Sequence, residues 1–220
     1  MHQTVTVIAF ILFVTPLFAQ ESIEIAKDYT LVVDESFRSE KLLNRLEKFS
    51  SGQWLTAKHG KPGKCLKYIA NDKTREADIR PVAKAVVKEN MFTGFILELD
   101  VEQCGRDYDC RDFCLIFNFA DEENYAFAHF ASVAGEMCHG IFTVQSGKLE
   151  QISDETSEAV LWGMDEWHKI RMEAETGKVR VWFDGKLLWN VDMPAESQGC
   201  IGFGAADGAA KIDNLKIWIR

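Results

Sequence analysis

Residues Arg111 to Ser132, RDFCLIFNFADEENYAFAHFAS, decide how this chain folds. Phe113, Leu115, Phe117 and Phe119 alternate with Cys114, Ile116, Asn118 and Ala120. A period of two gives two separate faces only on a β-strand, where successive side chains point to opposite sides. The polar run Asp121-Glu122-Glu123-Asn124 interrupts the pattern, and a second alternating run, Tyr125 to Ser132, follows. So short a gap predicts a hairpin, whose simplest pairing sets Ala120 opposite Tyr125, Asn118 opposite Phe127 and Ile116 opposite His129. One face is then apolar: Phe113, Leu115, Phe117, Phe119, Ala126, Ala128 and Phe130. The other carries Cys114, Ile116, Asn118, Tyr125, Phe127 and His129, a mixed aromatic and polar set.

Outward from the hairpin the chain reads as further short strands. Phe95 to Glu102 alternates, and Gly140 to Gln145 runs to a Ser146-Gly147 turn from which Lys148 to Ile152 pairs back. Trp167 to Glu173 and Lys178 to Phe183 flank Thr176-Gly177, and Asp184-Gly185 turns the chain into Leu187-Leu188-Trp189. Cys200 to Ala205 and Ile212 to Ile219 close the set. Tyr29 to Phe37 opens it, and Cys65 to Ile69 follows the Gly60 to Lys64 turn. Leu42, Leu43, Leu46 and Phe49 are spaced for one helical face, so Lys41 to Phe49 predicts a turn or two of helix. Asn71 to Asn90 is charged and irregular, and Ile79-Arg80-Pro81 excludes a continuous helix there. Strands at this density, with turn signals between them, predict an all-β fold with little helix. The expected form is a jelly-roll sandwich of two antiparallel sheets, with residues 20–220 as one domain.

Residues 1–19 are apolar and contain no Asp, Glu, Lys or Arg. The run is shorter than the ~20 residues of a membrane span, and Ala19 offers a small residue for cleavage. It predicts a signal peptide, a secreted or periplasmic location, and no membrane insertion once it is removed. The formal net charge of −9 falls on the remainder, without a basic stripe. That balance excludes nucleic acid and anionic membrane as main partners, which demand Lys and Arg against phosphate. The six cysteines, Cys65, Cys104, Cys110, Cys114, Cys138 and Cys200, read in an exported chain as disulfides, with fifteen possible pairings, or as buried thiols. Cys104, Cys110 and Cys114 match no common zinc knuckle, so no metal is assigned to them. Asp107, Asp109 and Asp112 supply acidic oxygens of the kind calcium takes; no other cofactor is expected. EF-hand, Walker, HExxH and GxSxG patterns are absent.

The order of motifs adds a resemblance. Asp34-Glu35-Ser36-Phe37, Gly52-Gln53-Trp54, Gly63-Lys64-Cys65-Leu66, Arg111-Asp112-Phe113-Cys114, Asn124-Tyr125 with His129, Trp167-His168-Lys169-Ile170-Arg171, Phe183-Asp184-Gly185, Gly202-Phe203-Gly204 and Asp213-Asn214 are similar to the concanavalin A-like lectin/glucanase superfamily. Within it they resemble the bacterial extracytoplasmic branch related to the 3-keto-disaccharide hydrolase domain, although that hydrolase's Asn-Ser-Gly strand and Tyr-Glu-x-Gln segment are missing. The resemblance implies a jelly roll and a function in binding or breaking glycans.

Glu98-Leu99-Asp100-Val101-Glu102 resembles the Glu-x-Asp-x-Glu strand of laminarinase-type glucanases in the same superfamily. By that likeness Glu98 is a nucleophile, Glu102 a general acid and base, and Asp100 the group that tunes them. On residue pattern alone, the three carboxylates also fit the wet side of an amphipathic strand whose Phe95, Leu97, Leu99 and Val101 face the core. With the Phe95 strand beside the hairpin, Glu98, Asp100, Asn118, Tyr125 and His129 would share one face, extended by His139 and Thr143. Rings for sugar C–H faces and polar groups for hydroxyls suit an oligosaccharide or polysaccharide partner. Trp162, next to Gly163, reads as a loop platform, Trp167 as core, and His168 as a buried hydrogen-bonded histidine. Three functions stay open: a carbohydrate-binding or accessory protein, a glycoside hydrolase, and a structural surface protein without a small ligand.

Overall fold

The structure, a computed structural model, describes residues 25, 27–49, 52–61, 63–70, 79–88, 91–104, 111–135, 138–154, 158–163, 165–194 and 198–220. The expected leader, residues 1–19, lies outside them, as do Asp107, Asp109 and Cys110.

With strands numbered in chain order, one sheet runs β13 (Lys186–Asp192), β12 (Lys178–Phe183), β11 (Trp167–Glu175), β6 (Phe95–Cys104), β15 (Ala209–Ile219), β4 (Gly63–Ile69) and β3 (Gln53–Gly60). An eighth strand, β1 (Thr30–Glu35), pairs with the end of β15. The second sheet runs β10 (Lys148–Gln151), β9 (Gly140–Gln145), β8 (Asn124–Ala131), β7 (Asp112–Asp121), β14 (Cys200–Ala205), β5 (Ala83–Val87) and β2 (Leu46–Lys48). Every strand pairing among the described residues is antiparallel, as the jelly-roll expectation requires. The tight turns fall where predicted: Ser146-Gly147 and Asp184-Gly185 both hold φ between +48° and +81°, the twist that suits two-residue hairpins. Among the described residues no helix is long and apolar enough to cross a membrane.

The core lies between the sheets. Phe95, Leu97, Leu99 and Val101 of β6 meet Phe113, Leu115, Phe117, Ala126, Ala128 and Phe130 of the central hairpin, all at most 2% exposed. Each such side chain contributes about 1.5–3 kcal/mol of transfer free energy, so the alternation seen in the sequence is the main determinant of the layer.

Several expectations are corrected. Only Leu43–Arg45 forms a 3₁₀ turn; Leu46–Lys48 is strand, because its partner β5 supplies ladder hydrogen bonds that local helical spacing could not reveal. β5 itself lies in the stretch read as irregular: Ala83, Ala85 and Val87 alternate into the core just after Pro81. β3 is a further strand outside the expected set. Cys65, Cys104, Cys114 and Cys200 are free thiols, and no disulfide joins two described residues.

The hairpin contains the most consequential correction. At its tip Asp121 pairs with Asn124, in the expected register, but farther in the partners are Phe117–Ala126, Ile116–Phe127 and Cys114–His129. Asn118, Phe119 and Ala120 of β7 therefore stand opposite Tyr125 alone. Asn118 adopts φ +50°, a left-handed conformation that asparagine tolerates, and the bulge it makes breaks the two-residue period. Phe119, expected inside, turns to the other face. There it joins Val86, Cys114, Ile116, Tyr125, Phe127, Phe142 and Val144 in a second buried cluster, with Phe49, Ile79, Leu149 and Cys200 packed against it. The outer face of this sheet is thus largely apolar and covered, not the wet mixed surface expected.

Candidate functional site at the hairpin tip

The chain crosses from one sheet to the other between β6 and β7, so the carboxylates of β6 and the residues of the hairpin occupy opposite sides of the sandwich. The shared face expected for Glu98, Asp100, Asn118, Tyr125 and His129 does not form. Glu98, Asp100 and Glu102 do share one side of β6, and each is engaged. Glu98 accepts from Arg171 Nη1 at 2.6 Å, and the same guanidinium donates to Glu173 at 2.7 Å. Asp100 accepts from Asn214 Nδ2 at 2.7 Å and stands 3.5 Å from Lys169 Nζ; Glu102 pairs with Lys211. Cross-strand register places these cations, since Arg171 lies opposite Glu98 and Lys211 opposite Glu102.

Three further expected ligands are interior. His129, 3% exposed, meets Asp112 Oδ2 through Nε2 at 2.8 Å. Asp112 also accepts the backbone N–H groups of Ala206 at 2.7 Å and Asp207 at 3.0 Å, so the carboxylate ties the hairpin root to the β14–β15 turn. Asp107 and Asp109, the other two acids of the expected calcium loop, lie outside the described residues. His139 accepts the Ala131 N–H at 3.2 Å and lies 4.7 Å from the Trp189 ring. Burial, with a smaller contribution from neighbouring His129, pushes its pKa down to about 4. Trp162, expected as an exposed platform, is 4% exposed and packs edge-on against His168 and Phe183, while its neighbour Leu161 takes the solvent position. His168 is buried and bonded to Asp184 at 2.7 Å, as expected. Trp167 is half-buried and opposite Glu102, on the outward side of its strand.

What the structure does bring together lies around the hairpin tip. On one side, a groove of about 790 Å³ is lined by Phe49, Val86, Phe119, Ala120 and Cys200, with Glu47, Lys88, Asp121, Glu122 and Glu123 around it. The Phe49 and Phe119 rings are 4.9 Å apart and tilted by 48°. On the other side, a cleft of about 190 Å³ gathers Asn118, Asn124, Tyr125, Thr143, Gln145 and Gln198 with Met193 and Pro194. Ala120 lines both, so the bulged tip is the partition between them. Lys84 fixes that partition: its ammonium sits 5.1 Å over the Tyr125 ring and 3.6 Å from Glu122. Asp121 holds the turn by accepting from the Glu123 N–H at 2.8 Å and from Asn124 Nδ2 at 2.9 Å.

Asn118, Tyr125 and Thr143 come together in this smaller cleft, where Tyr125 is 3% exposed. Phe49, Glu47 and Lys88 were missed. They reach the tip only because β2 and β5 close the far end of the sheet, a long-range pairing with no local signal.

Two antiparallel sheets in this order, enclosing one apolar layer, define a concanavalin A-like jelly-roll sandwich. No family model matches the sequence, and no curated protein matches it either. Solved structures do resemble it. Carbohydrate binding module CBM66 from Bacillus subtilis superposes with a TM-score of 0.59 at 16% identity, over 78% of this chain and 93% of that one. A protein of unknown function with a galectin-like fold, also from Bacillus subtilis, gives 0.60 at 12% identity, over 87% and 99%. Domain 4 of AbnA, a GH43 extracellular arabinanase from Geobacillus stearothermophilus in complex with arabinotriose, gives 0.53 at 14%, over 86% and 92%. At these identities the likeness is one of fold.

Proposed function

We propose that this chain binds an oligosaccharide or polysaccharide outside the cytoplasm, in the two clefts divided by the hairpin tip, and serves as a binding or accessory protein in glycan breakdown. The observation that carries the reading is the pair of linings that meet at Ala120. One offers aromatic rings edged by carboxylates, the other amides and a hydroxyl, which together suit the C–H faces and the hydroxyl groups of adjacent sugar units. The binding modules among the fold's relatives support it by analogy. Asn118, Tyr125 and Thr143 keep their proposed role, joined by Phe49, Gln145 and Glu123. Export through the leader at residues 1–19 belongs to the same reading.

Hydrolysis, whether of the 3-keto-disaccharide type or through Glu98 and Glu102, is the less favoured alternative. Both glutamates are committed to cations, and a free carboxyl pair flanking a bond is what glycosidase chemistry needs. A glycan array, followed by reducing-sugar release on each hit, separates the two readings: binding without release is expected. Release that disappears in Glu98→Gln would establish the enzyme, and silence across the array would remove carbohydrate altogether.

A further inference from the structure

The root of the hairpin holds a group of side chains that the glycan reading does not use. Asp112 and Cys114 sit two apart on β7, and His129 lies directly opposite Cys114 on β8. One donor atom from each, a carboxylate oxygen, the thiol sulfur and an imidazole nitrogen, lies within 4.8 Å of the other two. All three residues are at most 3% exposed. The Cys114 sulfur makes a long 3.9 Å contact to Asp112 Oδ2 and is approached by the Ala206 N–H, and His129 Nδ1 is a buried nitrogen without a hydrogen-bond partner.

We propose that Asp112, Cys114 and His129 form a binding site for a zinc-class divalent ion. Nitrogen, sulfur and oxygen donors from two paired strands are the set such ions take, and harder cations refuse the thiol. Zinc bonds of about 2.0–2.3 Å set tetrahedral donors roughly 3.3–3.6 Å apart. The observed Nε2–Oδ2 and Sγ–Oδ2 separations of 2.8 Å and 3.9 Å bracket that spacing, and the third pair of donors lies within 4.8 Å. The charges also balance. The ion displaces the thiol proton to solvent and binds the thiolate; the imidazole stays neutral as its proton moves from Nε2 to the unpartnered Nδ1. One thiolate and one carboxylate then cancel the double positive charge, so no net charge is buried. The N–H groups of Ala206, on Oδ2, and Asp207, on Oδ1, already orient the carboxylate, as second-layer donors do in metal sites. A water oxygen completes the fourth position. This site is distinct from the Cys104, Cys110 and Cys114 combination: Cys104 lies at the end of β6, in the other sheet.

Cobalt(II) titrated into the chelator-treated full chain tests the site, because a thiolate on cobalt gives a charge-transfer absorption that nitrogen and oxygen donors do not. The expected result is one cobalt per chain with that band, kept in Cys104→Ser and lost in Cys114→Ser. His129→Gln should lose it as well, which covers the case in which Cys114→Ser fails to fold. Zinc content of the untreated protein gives a second readout, expected at one equivalent. Absence of both zinc and band in folded protein would overturn the proposal and leave a purely hydrogen-bonded Asp–His pair. A band that survives in Cys114→Ser would assign the metal to another thiol and overturn it equally.

Discussion

Gly199→Ala is the perturbation that most directly probes the bulge on which the candidate site is built. A Cβ at residue 199 would sit 2.3 Å from the carbonyl carbon of Asn118, 2.5 Å from the nitrogen of Phe119 and 2.8 Å from the Asn118 Cα. These are backbone atoms, so no side chain can swing away. Ordinary van der Waals contact begins near 3.4 Å, and the two segments must therefore part by about an ångström in an interior packed like a crystal. Overpacking of this kind costs about 1–3 kcal/mol. Separation also strains the reciprocal hydrogen bonds between Gly199 and Phe92, at 3.0 Å and 3.2 Å, worth about 1 kcal/mol each. A loss of about 2–4 kcal/mol is expected in urea unfolding. Gly94→Ala is the matched control, since its nearest atom is Ala174 O at 3.7 Å; it should change stability by less than about 0.5 kcal/mol. Equal stability of the two variants would refute the bulge geometry and return the hairpin to uninterrupted alternation.

Two more outcomes follow from burial and protonation. Phe127→Ala, at a ring that is fully buried on the outer face and 5.3 Å from Phe142, should cost about 3–5 kcal/mol in chemical denaturation; a loss under 1 kcal/mol would mean that this face is an open surface and not a second core. His139 titrates near 4 when folded and about 6.5 when unfolded, so the unfolded chain binds the extra proton. Its contribution is complete above about pH 6.5 and is lost as pH falls toward 4, by about 3 kcal/mol. His139→Gln should flatten the stability profile across that window, and an unchanged slope would show that the imidazole charges freely in the folded protein.

The residues that announced the fold did so because burial at one face forces a two-residue period. That signal set β6, β7 to Phe117, β8, β9 and β12. It failed at Asn118 because one left-handed residue reverses the faces without changing composition, so Phe119 looked like core of the wrong layer. The candidate site was only half legible for a related reason. Asn118, Tyr125 and Thr143 are close along the hairpin and its neighbour β9, whereas Phe49, Glu47 and Lys88 arrive through β2 and β5, far away in sequence. The placement of Glu98 and Asp100 was misjudged because alternation tells which residues share a strand face, not which sheet the strand joins. Trp162 misled through its glycine neighbour: a loop position can still point an indole inward, and here it packs edge-on against Phe183.

The most direct test of the account is calorimetric titration of an array-selected oligosaccharide into the intact chain, its Phe49→Ala variant and its Glu98→Gln variant. Phe49 lines the larger groove, and Glu98 lies across the sandwich with its charge held by Arg171. Loss of about 1–3 kcal/mol of binding free energy in Phe49→Ala, with Glu98→Gln unchanged, is the predicted result. Unchanged affinity in Phe49→Ala together with loss in Glu98→Gln would contradict it, and would move the site to the outer face of the eight-stranded sheet.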